Sequence, residues 1–491
     1  MRYKTNVIIG AKLSKMVEQV KQLERRTACE QVKKFIYGKD YTRVCAIYGL
    51  QSTGKRTVML QAIADMSKED FSKTAYIEVK DTNCLQDVVD DLELLSDKDV
   101  DYVFINEITS MRDFIDSAAL LSDIYAMMGM KIVLSGTSSL SFWLSREHEL
   151  YDRVRLVHTT YMPYKEYCRL MGNEAIDEYL LNGGFLKEFP FENGESLKKY
   201  IDTAIGENIQ FAIEHAERSD AMFRLRELFD AGVLVRAIRY VVEELVKCNV
   251  KSALSNVSDI ENIEQCMRQE EIHVEMTDIH RTRIEEYLKG LDVIVKCPAK
   301  REDLECEKES RYIFTQPSVS YHMSKLYVES LLEAETFSNL SDVEKGELKE
   351  QLLETIQEQL FKDMILLETI KTLGRPYEVF KTQFKNGVYD MLICDHDHYQ
   401  CAIYEIHNSK CHMQEYGKHL TDDYKLELTT PRYGKLVGRY VLYLGENMNS
   451  EDGIAYRNAE DFLKNLPNIS LNSGLENTIS EDEVQGMAPS M

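Results

Sequence analysis

Several things are scarce in this chain of 491 residues, and each scarcity closes off a class of function. Basic residues are outnumbered: 59 Lys and Arg stand against 83 Asp and Glu, a formal charge of −24. A surface of that sign repels phosphate backbones and anionic headgroups, so broad coating of nucleic acid or membrane is not expected. No apolar run reaches the roughly 18 residues that a membrane-spanning helix needs. The opening MRYKTNVIIG lacks the apolar core and small-residue cleavage site of a signal peptide. The 11 cysteines form no C-x-x-C pair, the usage of reduced thiols. Together these predict a cytoplasmic protein with no membrane partner. No repeat at solenoid spacing occurs. The one low-complexity stretch starts at Pro467; its NSGLENTISEDEVQGMAPSM is polar and acidic, and predicts a disordered tail over 467–491.

What is present is enough chain for about three to four domains. Residues 1–40 read as a helical lead, with a charged stretch VEQVKQLERR and an amphipathic run CEQVKKFIYG. From Thr42 the pattern turns to short apolar runs alternating with helices. RVCAIYG, TAYIEV, DYVFIN and KIVLSG read as strands; KRTVMLQAIADM and DFIDSAALLSDIYAMMGM read as helices. Such alternation predicts a parallel sheet covered on both faces. From about Tyr167 to Asn249 the chain reads as mostly helical. MTDIHRTRIEEYLKGL follows as an amphipathic helix, with Ile279, Ile284, Leu288 and Leu291 at helical spacing. Strand-like VIVKC, a charged loop KREDLECEKESR and YIFTQ then suggest a winged helix. A long helix near 343–373 leads into strands VYDMLIC, CAIYEIH and VGRYVLYLG, an α+β ending.

The chemistry is concentrated first in GLQSTGKRT. A phosphate-binding loop, G-x-x-x-x-G-K-[ST], fits through Gly49, Gly54 and Lys55, with Ser52 and Thr53 inside the loop. It follows a predicted strand and opens a predicted helix, so glycine N–H groups and the helix N-terminus can face phosphates. Lys55 would reach the β- and γ-phosphates. A glycine turn with a lone lysine is common in loops, but two later strand ends argue against coincidence. VFINE ends in Asn106 and Glu107, and KIVLSGTSS ends in the hydroxyls of Thr137 and Ser138. Glu107 is placed to orient water for attack on a γ-phosphate. Arg153 reads either as an arginine finger or sensor, or as a surface ion pair.

GLQSTGKRT, VFINE, KIVLSGTSSL, YDRVRLVHTTYMPYKEY and YLLNGGF follow one another as in a group of prokaryotic AAA-type ATP-binding proteins. The chain resembles that family over about residues 40–445, YIFTQPSV, VFKTQFKNGVYDMLIC and IYEIHNSK included. The resemblance implies an α/β multidomain fold: an AAA/ASCE-type P-loop sheet, a helical and winged-helix middle, and a C-terminal PD-(D/E)XK nuclease-like α+β domain. The expected limits are 1–40 for the lead, 41–167 for the ATPase domain and 168–255 for a helical lid. The winged helix is expected over 256–335 and the nuclease-like domain over 340–466. The family implies ATP as ligand, bound by Gly49, Gly54 and Lys55 with Glu107 in the hydrolytic position. This chain departs at the two Mg²⁺ positions: Arg56 replaces a hydroxyl and Asn106 replaces an acid. Thr57 is no simple substitute for the hydroxyl, because one helical residue turns a side chain by about 100°. Both departures remove oxygen ligands from one hard cation, while Arg56 sets a guanidinium near the phosphates. The expectation is nucleotide binding with weakened Mg²⁺ and slow hydrolysis.

A PD-(D/E)XK site needs an acid on one strand and E-x-K on the next, so that two carboxylates hold Mg²⁺. Asp390 and Glu405 stand at matching places as metal candidates, but the lysine position is His407, and the helix glutamate falls at Lys362 or Asp363. The expectation is a degenerate nuclease fold. Cys394, His396, His398, Cys401, His407, Cys411 and His412 match no standard zinc spacing. His280, Arg281 and Arg283 could face DNA, but Asp278, Glu285 and Glu286 share their helix, which favours packing or protein contact. The leading function is therefore a weak ATPase or nucleotide-gated switch with a protein partner. The rivals are an ATP-gated metal-dependent nuclease and a non-catalytic scaffold.

Overall fold

The structure, a computed structural model, describes residues 2–147, 149–186, 191–215, 220–254, 276–302, 311–334, 337–411 and 415–466. The expected tail, the first part of the winged-helix stretch and most of its charged loop lie outside these residues.

Six short strands build the first sheet: β1 (Asn6–Ile8), β2 (Val44–Tyr48), β3 (Thr74–Glu78), β4 (Tyr102–Asn106), β5 (Lys131–Ser135) and β6 (Val154–His158). Their order is β1-β3-β4-β5-β2-β6; all pairs are parallel except β1 with β3. The alternation of side chains explains why β2 is apolar throughout. Val44, Ala46 and Tyr48 enter one core, while Cys45 and Ile47 enter another. The second core is closed by α1 (Gly10–Glu18), α2 (Thr27–Ile36) and α3 (Lys55–Ala64), through Leu13, Val32, Val58 and Ile63. The chain's start is thus not an all-helical lead. It contributes an edge strand and two of the helices that cover the sheet.

DFIDSAALLSDIYAMMGM is not one helix either. A short helix, Phe114–Ser117, gives way to a wider π-type turn at Leu121–Ala126. Within it the Ser122 hydroxyl donates to the Ala119 carbonyl at 2.9 Å, a side-chain bond that competes with the regular ladder.

The middle is helical and continuous with the first core, which runs on through α4 (Glu207–His215), α5 (Leu234–Leu254) and α6 (Asp278–Gly290). In α6, Ile284 and Leu288 are buried as expected, whereas Ile279 faces solvent. A two-stranded antiparallel ribbon follows, β7 (Ile294–Lys296) with β9 (Tyr312–Phe314). Between them β8 (Ala299–Arg301) leaves the ribbon and pairs parallel with the next sheet, so the expected charged loop is in part an edge strand.

Two helices, α7 (Pro317–Leu332) and α8 (Asp342–Thr372), lead into β10 (Tyr377–Phe384), β11 (Gly387–Asp395), β12 (Gln400–Ile406), β13 (Lys435–Tyr443), β14 (Met448–Asn449) and β15 (Ala455–Asn458). Their sheet has the order β14-β15-β13-β12-β11-β10-β8 and mixes parallel with antiparallel pairs. One face joins the common core through Met391, Ile393, Tyr404 and Leu442; the other buries Phe380, Leu392, Ile403 and Val441. Glu368 sits at the joint. It is buried on α8 and accepts from the Tyr164 N–H at 2.8 Å and the Tyr179 hydroxyl at 3.0 Å. Burial pushes its carboxyl up to about 7. No described helix is long and apolar enough to cross a membrane.

Candidate nucleotide site

Parallel strands deliver their C-terminal loops to one edge of a sheet. Here that edge gathers the Gly49–Gly54 loop after β2, Glu107 after β4, Thr137 to Ser139 after β5, and Thr159 and Thr160 after β6. Glycine is required twice. Gly54 lies at φ +83°, and a Cβ on Gly49 would collide with Thr159 Oγ1 and sit 2.9 Å from the Thr160 nitrogen. Ser52 also takes a positive φ, 65°, and is exposed at the turn.

Lys55 opens α3 and is buried; its ammonium donates to the Gly49 and Leu50 carbonyls, 2.8 Å each. Burial pushes its pKa down to about 8, against the pull of the nearby Glu107 carboxylate. The loop is held from outside by hydroxyls that no motif announces. Ser139 Oγ donates to the Gly49 carbonyl at 2.6 Å, and Thr53 Oγ1 lies 2.7 Å from Thr159 Oγ1. Thr160 Oγ1 accepts the Leu50 N–H at 3.1 Å and donates to the Leu291 carbonyl at 3.2 Å, just beyond α6. Arg26, buried, donates to the carbonyls of Thr53, Thr159 and Tyr161 and to Glu166 Oε1 at 2.8 Å.

Glu107 adopts the left-handed region, φ 59°, at the end of β4. Its Oε2 accepts the Thr137 N–H at 3.0 Å, while the Thr137 carbonyl accepts from Asn208 Nδ2 at 3.0 Å. Asn208 belongs to α4, so the helical middle touches this corner. A cleft of about 330 Å³ opens there, lined by Gln51, Glu107, Thr137, Glu207, Asn208 and Phe211.

Asn106 is fully engaged. Its Nδ2 donates to Glu78 Oε1 at 2.9 Å, and its Oδ1 accepts from Ser135 Oγ at 2.6 Å. Glu78 ends β3, and its other oxygen, Oε2, is buried without a hydrogen-bond partner, 3.8 Å from Arg56 Nη2. An acid thus stands one strand over from Asn106, beside the first turn of α3. Thr57 is half-buried on α3. The glycine cradle, helix N-terminus and Lys55 fit the phosphates of ATP. The surroundings do not fit an ordinary Mg²⁺ shell, because Arg56 offers no oxygen and Asn106 offers no carboxylate charge.

Arg153 does not join this site. It precedes β6, so it lies at the opposite end of the strands, roughly 17 Å away for five residues. There it pairs with Asp123 at 2.8 Å on the surface.

The second sheet carries its own cluster. Asp390 on β11 and Glu405 on β12 are both buried; Asp390 Oδ2 accepts the Ile406 N–H at 3.0 Å. Glu405 Oε2 accepts the Gly417 N–H at 2.8 Å, and its Oε1 lies 2.7 Å from His407 Nε2. From α8, Lys362 sits 3.4 Å from Asp390 and 3.3 Å from Glu358. His407 stacks on Tyr416 with ring centres 3.6 Å apart and lies 3.8 Å from Glu358. Burial would lower its pKa, but its bonds to Glu358 and Glu405 outweigh this and raise it. The His407 bond holds Glu358 down to about 2. The helix acid of this cluster is thus Glu358. Lys362 is a cation, and Asp363 turns away to a buried pair with Arg311, Nη1 to Oδ2 2.8 Å. Among the described residues, no group of three or more His, Cys, Asp or Glu side chains is arranged to hold a metal. On α6, His280 is buried, and Arg281 and Arg283 pair with Glu285 and Glu286 of their own helix.

Residues 41–168 match a family model described as an AAA domain, and this stretch has the AAA P-loop NTPase-like fold. No curated protein matches the chain. Among solved structures, the S. cerevisiae Hsp104:casein complex in its extended conformation aligns at 11% identity and TM-score 0.26, over 52% of this chain and 52% of that one. Hsp104 with ATPyS and FITC casein, in a closed state, aligns at 12% and 0.24, over 52% and 54%. The S. cerevisiae Hsp104-ADP complex aligns at 11% and 0.25, over 74% and 56%. The chain spans about half the length of these solved chains.

Proposed function

We propose that this protein is an ATP-operated switch: its AAA domain binds ATP, hydrolyses it slowly, and passes the loaded state to the helical middle and the C-terminal sheet. The observation that carries this reading is the Thr160 hydroxyl, shared between the Leu50 N–H of the phosphate loop and the Leu291 carbonyl of the following region. A loop that reshapes around phosphates must change that shared bond. Gly49, Ser52, Thr53, Gly54 and Lys55 form the cradle, and ATP supplies the phosphoanhydride to be cleaved. Glu107 is the water-orienting base, held in the free protein by the Thr137 N–H; its release frees Oε2 to take a proton from water. Domain limits at 41–167, 168–255, 256–335 and 340–466 serve as the working partition, with α6 and its ribbon as the winged-helix element.

For the C-terminal sheet we infer a nuclease-like fold without nuclease chemistry. Its support is the Lys362 ammonium between Glu358 and Asp390, where a cation already compensates the acids. The reading is tested by calorimetry with ATP and by phosphate release. Wild type should bind and turn over slowly, Lys55→Ala should not bind, and Thr160→Val should bind without ATP protecting the C-terminal half from hydrogen exchange. Robust plasmid cleavage in Mg²⁺ or Mn²⁺, lost in Asp390→Ala and Glu405→Ala, would instead favour the nuclease.

A further inference from the structure

Glu78 was not marked by any motif, yet its carboxylate lies 3.8 Å from the guanidinium of Arg56, on the first turn of α3. It is held from one side by Asn106, whose amide is in turn oriented by the Ser135 hydroxyl. The direction of that relay is fixed by chemistry: ionised Glu78 only accepts, so Asn106 presents its nitrogen there and its oxygen to the serine. Tyr76, two residues earlier on β3, is buried against the same carboxylate; burial first, then the Glu78 charge, pushes its phenol up. The second oxygen of Glu78, Oε2, is buried and faces the Arg56 guanidinium at 3.8 Å. Arg56 itself is 57% exposed, so its guanidinium can move while staying within reach of both Glu78 and the loop.

These contacts make the two departures from the usual P-loop pattern a matched set. An acid at position 106 would stand at hydrogen-bond distance from Glu78, and two carboxylates there would need a proton or a cation between them. The amide removes that conflict, and Arg56 provides the charge. We propose that Arg56, steered by Glu78 and Asn106, is the resident cation of the nucleotide site, so that a nucleoside triphosphate binds there without a divalent metal. This rests on the nucleotide reading above and specifies its ligand state. A planar guanidinium donates to phosphate oxygens in pairs, a geometry that a hydrated metal ion does not reproduce. Glu78 and Asn106 act here as positioning residues: they aim Arg56 and touch no phosphate.

The test is calorimetric titration of the full chain with ATP in EDTA and again in Mg²⁺. Wild-type affinity should differ by less than about threefold between the two buffers. Arg56→Ala should lose about tenfold in EDTA and recover part of it in Mg²⁺. Glu78→Gln should lose about threefold in EDTA only. The exchanged pair, Arg56→Glu with Glu78→Arg, should regain EDTA affinity over Arg56→Glu alone, which a folding defect would not produce. Wild-type binding strengthened about tenfold or more by Mg²⁺, with that gain lost in Glu78→Gln, would make Glu78 a metal ligand and overturn the inference while leaving the nucleotide reading intact. Absence of binding in both buffers would overturn both.

Discussion

The two sheets solve one electrostatic problem in different ways. Each carries a carboxylate on a strand, and each sets a basic side chain from an adjoining helix against it: Arg56 with Glu78 at the end of β3 in the first, Lys362 with Asp390 inside β11 in the second, where Glu358 of α8 joins the pair. The difference lies in access. Arg56 is mostly exposed and only loosely paired, one residue after the lysine that closes the loop. Lys362 is largely enclosed between two carboxylates at short range. Burial would lower its pKa, but Asp390 and Glu358 outweigh that and raise it. A cation held loosely is available to an incoming anion, whereas one held by two acids neutralises its site and closes it. Similar residue types thus mark a place to bind in one sheet and a place that is already satisfied in the other.

This comparison can be broken from the second sheet first. The Arg311–Asp363 pair fixes α8, the helix that aligns Glu358 and Lys362, to β9. Arg311→Ala would strand a buried carboxylate, and denaturant unfolding should show a loss of about 3–5 kcal/mol. Lys362→Ala should remove the cation between Glu358 and Asp390, leaving Lys381, 4.0 Å from Asp390, as the remaining lysine beside these acids. Mn²⁺ titration followed by electron paramagnetic resonance, in a Lys55→Ala background that silences the first site, should show binding about tenfold or more tighter than the parent. Equal Mn²⁺ binding with and without Lys362 would mean that this lysine does not close the site.

On the first sheet the pH dependence sharpens the contrast. Lys55 in the free protein loses its proton near pH 8, and only the charged form attracts phosphate. ATP affinity should therefore be fullest below pH 8 and fall as pH rises through it, by up to about tenfold at pH 9. Proton uptake on binding at pH 8.5, measured in buffers of different ionisation enthalpy, checks the sign. The smallest effect belongs to Arg153→Ala. An exposed pair with Asp123 should contribute less than about 1 kcal/mol, and ATP affinity should not change.

How much of this was legible in the sequence depends on the range of each interaction. Strands β2 to β5 of the first sheet and the long α8 were readable, because apolar runs and helical periodicity are local signals. So was the loop, since its glycines answer to local backbone geometry. Arg26 was not: its partner Glu166 lies 140 residues away, and the hydroxyls of Ser139, Thr159 and Thr160 gain meaning only when their strands lie side by side. Glu78 likewise needs β3 paired with β4 before Asn106 can reach it. β1 is three residues long, too short for any period to show. The position of Arg153 relative to the loop was also legible. It precedes its strand, and phosphate sites lie beyond the other end of parallel strands.

Arg26 also bears on where the nucleotide-binding unit begins. The AAA match starts at residue 41, and a fragment cut there would look complete by its motifs. It would lack the guanidinium that ties the Thr53, Thr159 and Tyr161 carbonyls together, and it would leave Glu166 buried without its counter-charge. It would also expose the face of the sheet that α1 and α2 cover. The smallest piece that can hold the loop in shape therefore extends back through the first strand, and the segment ahead of the recognised domain is part of its machinery.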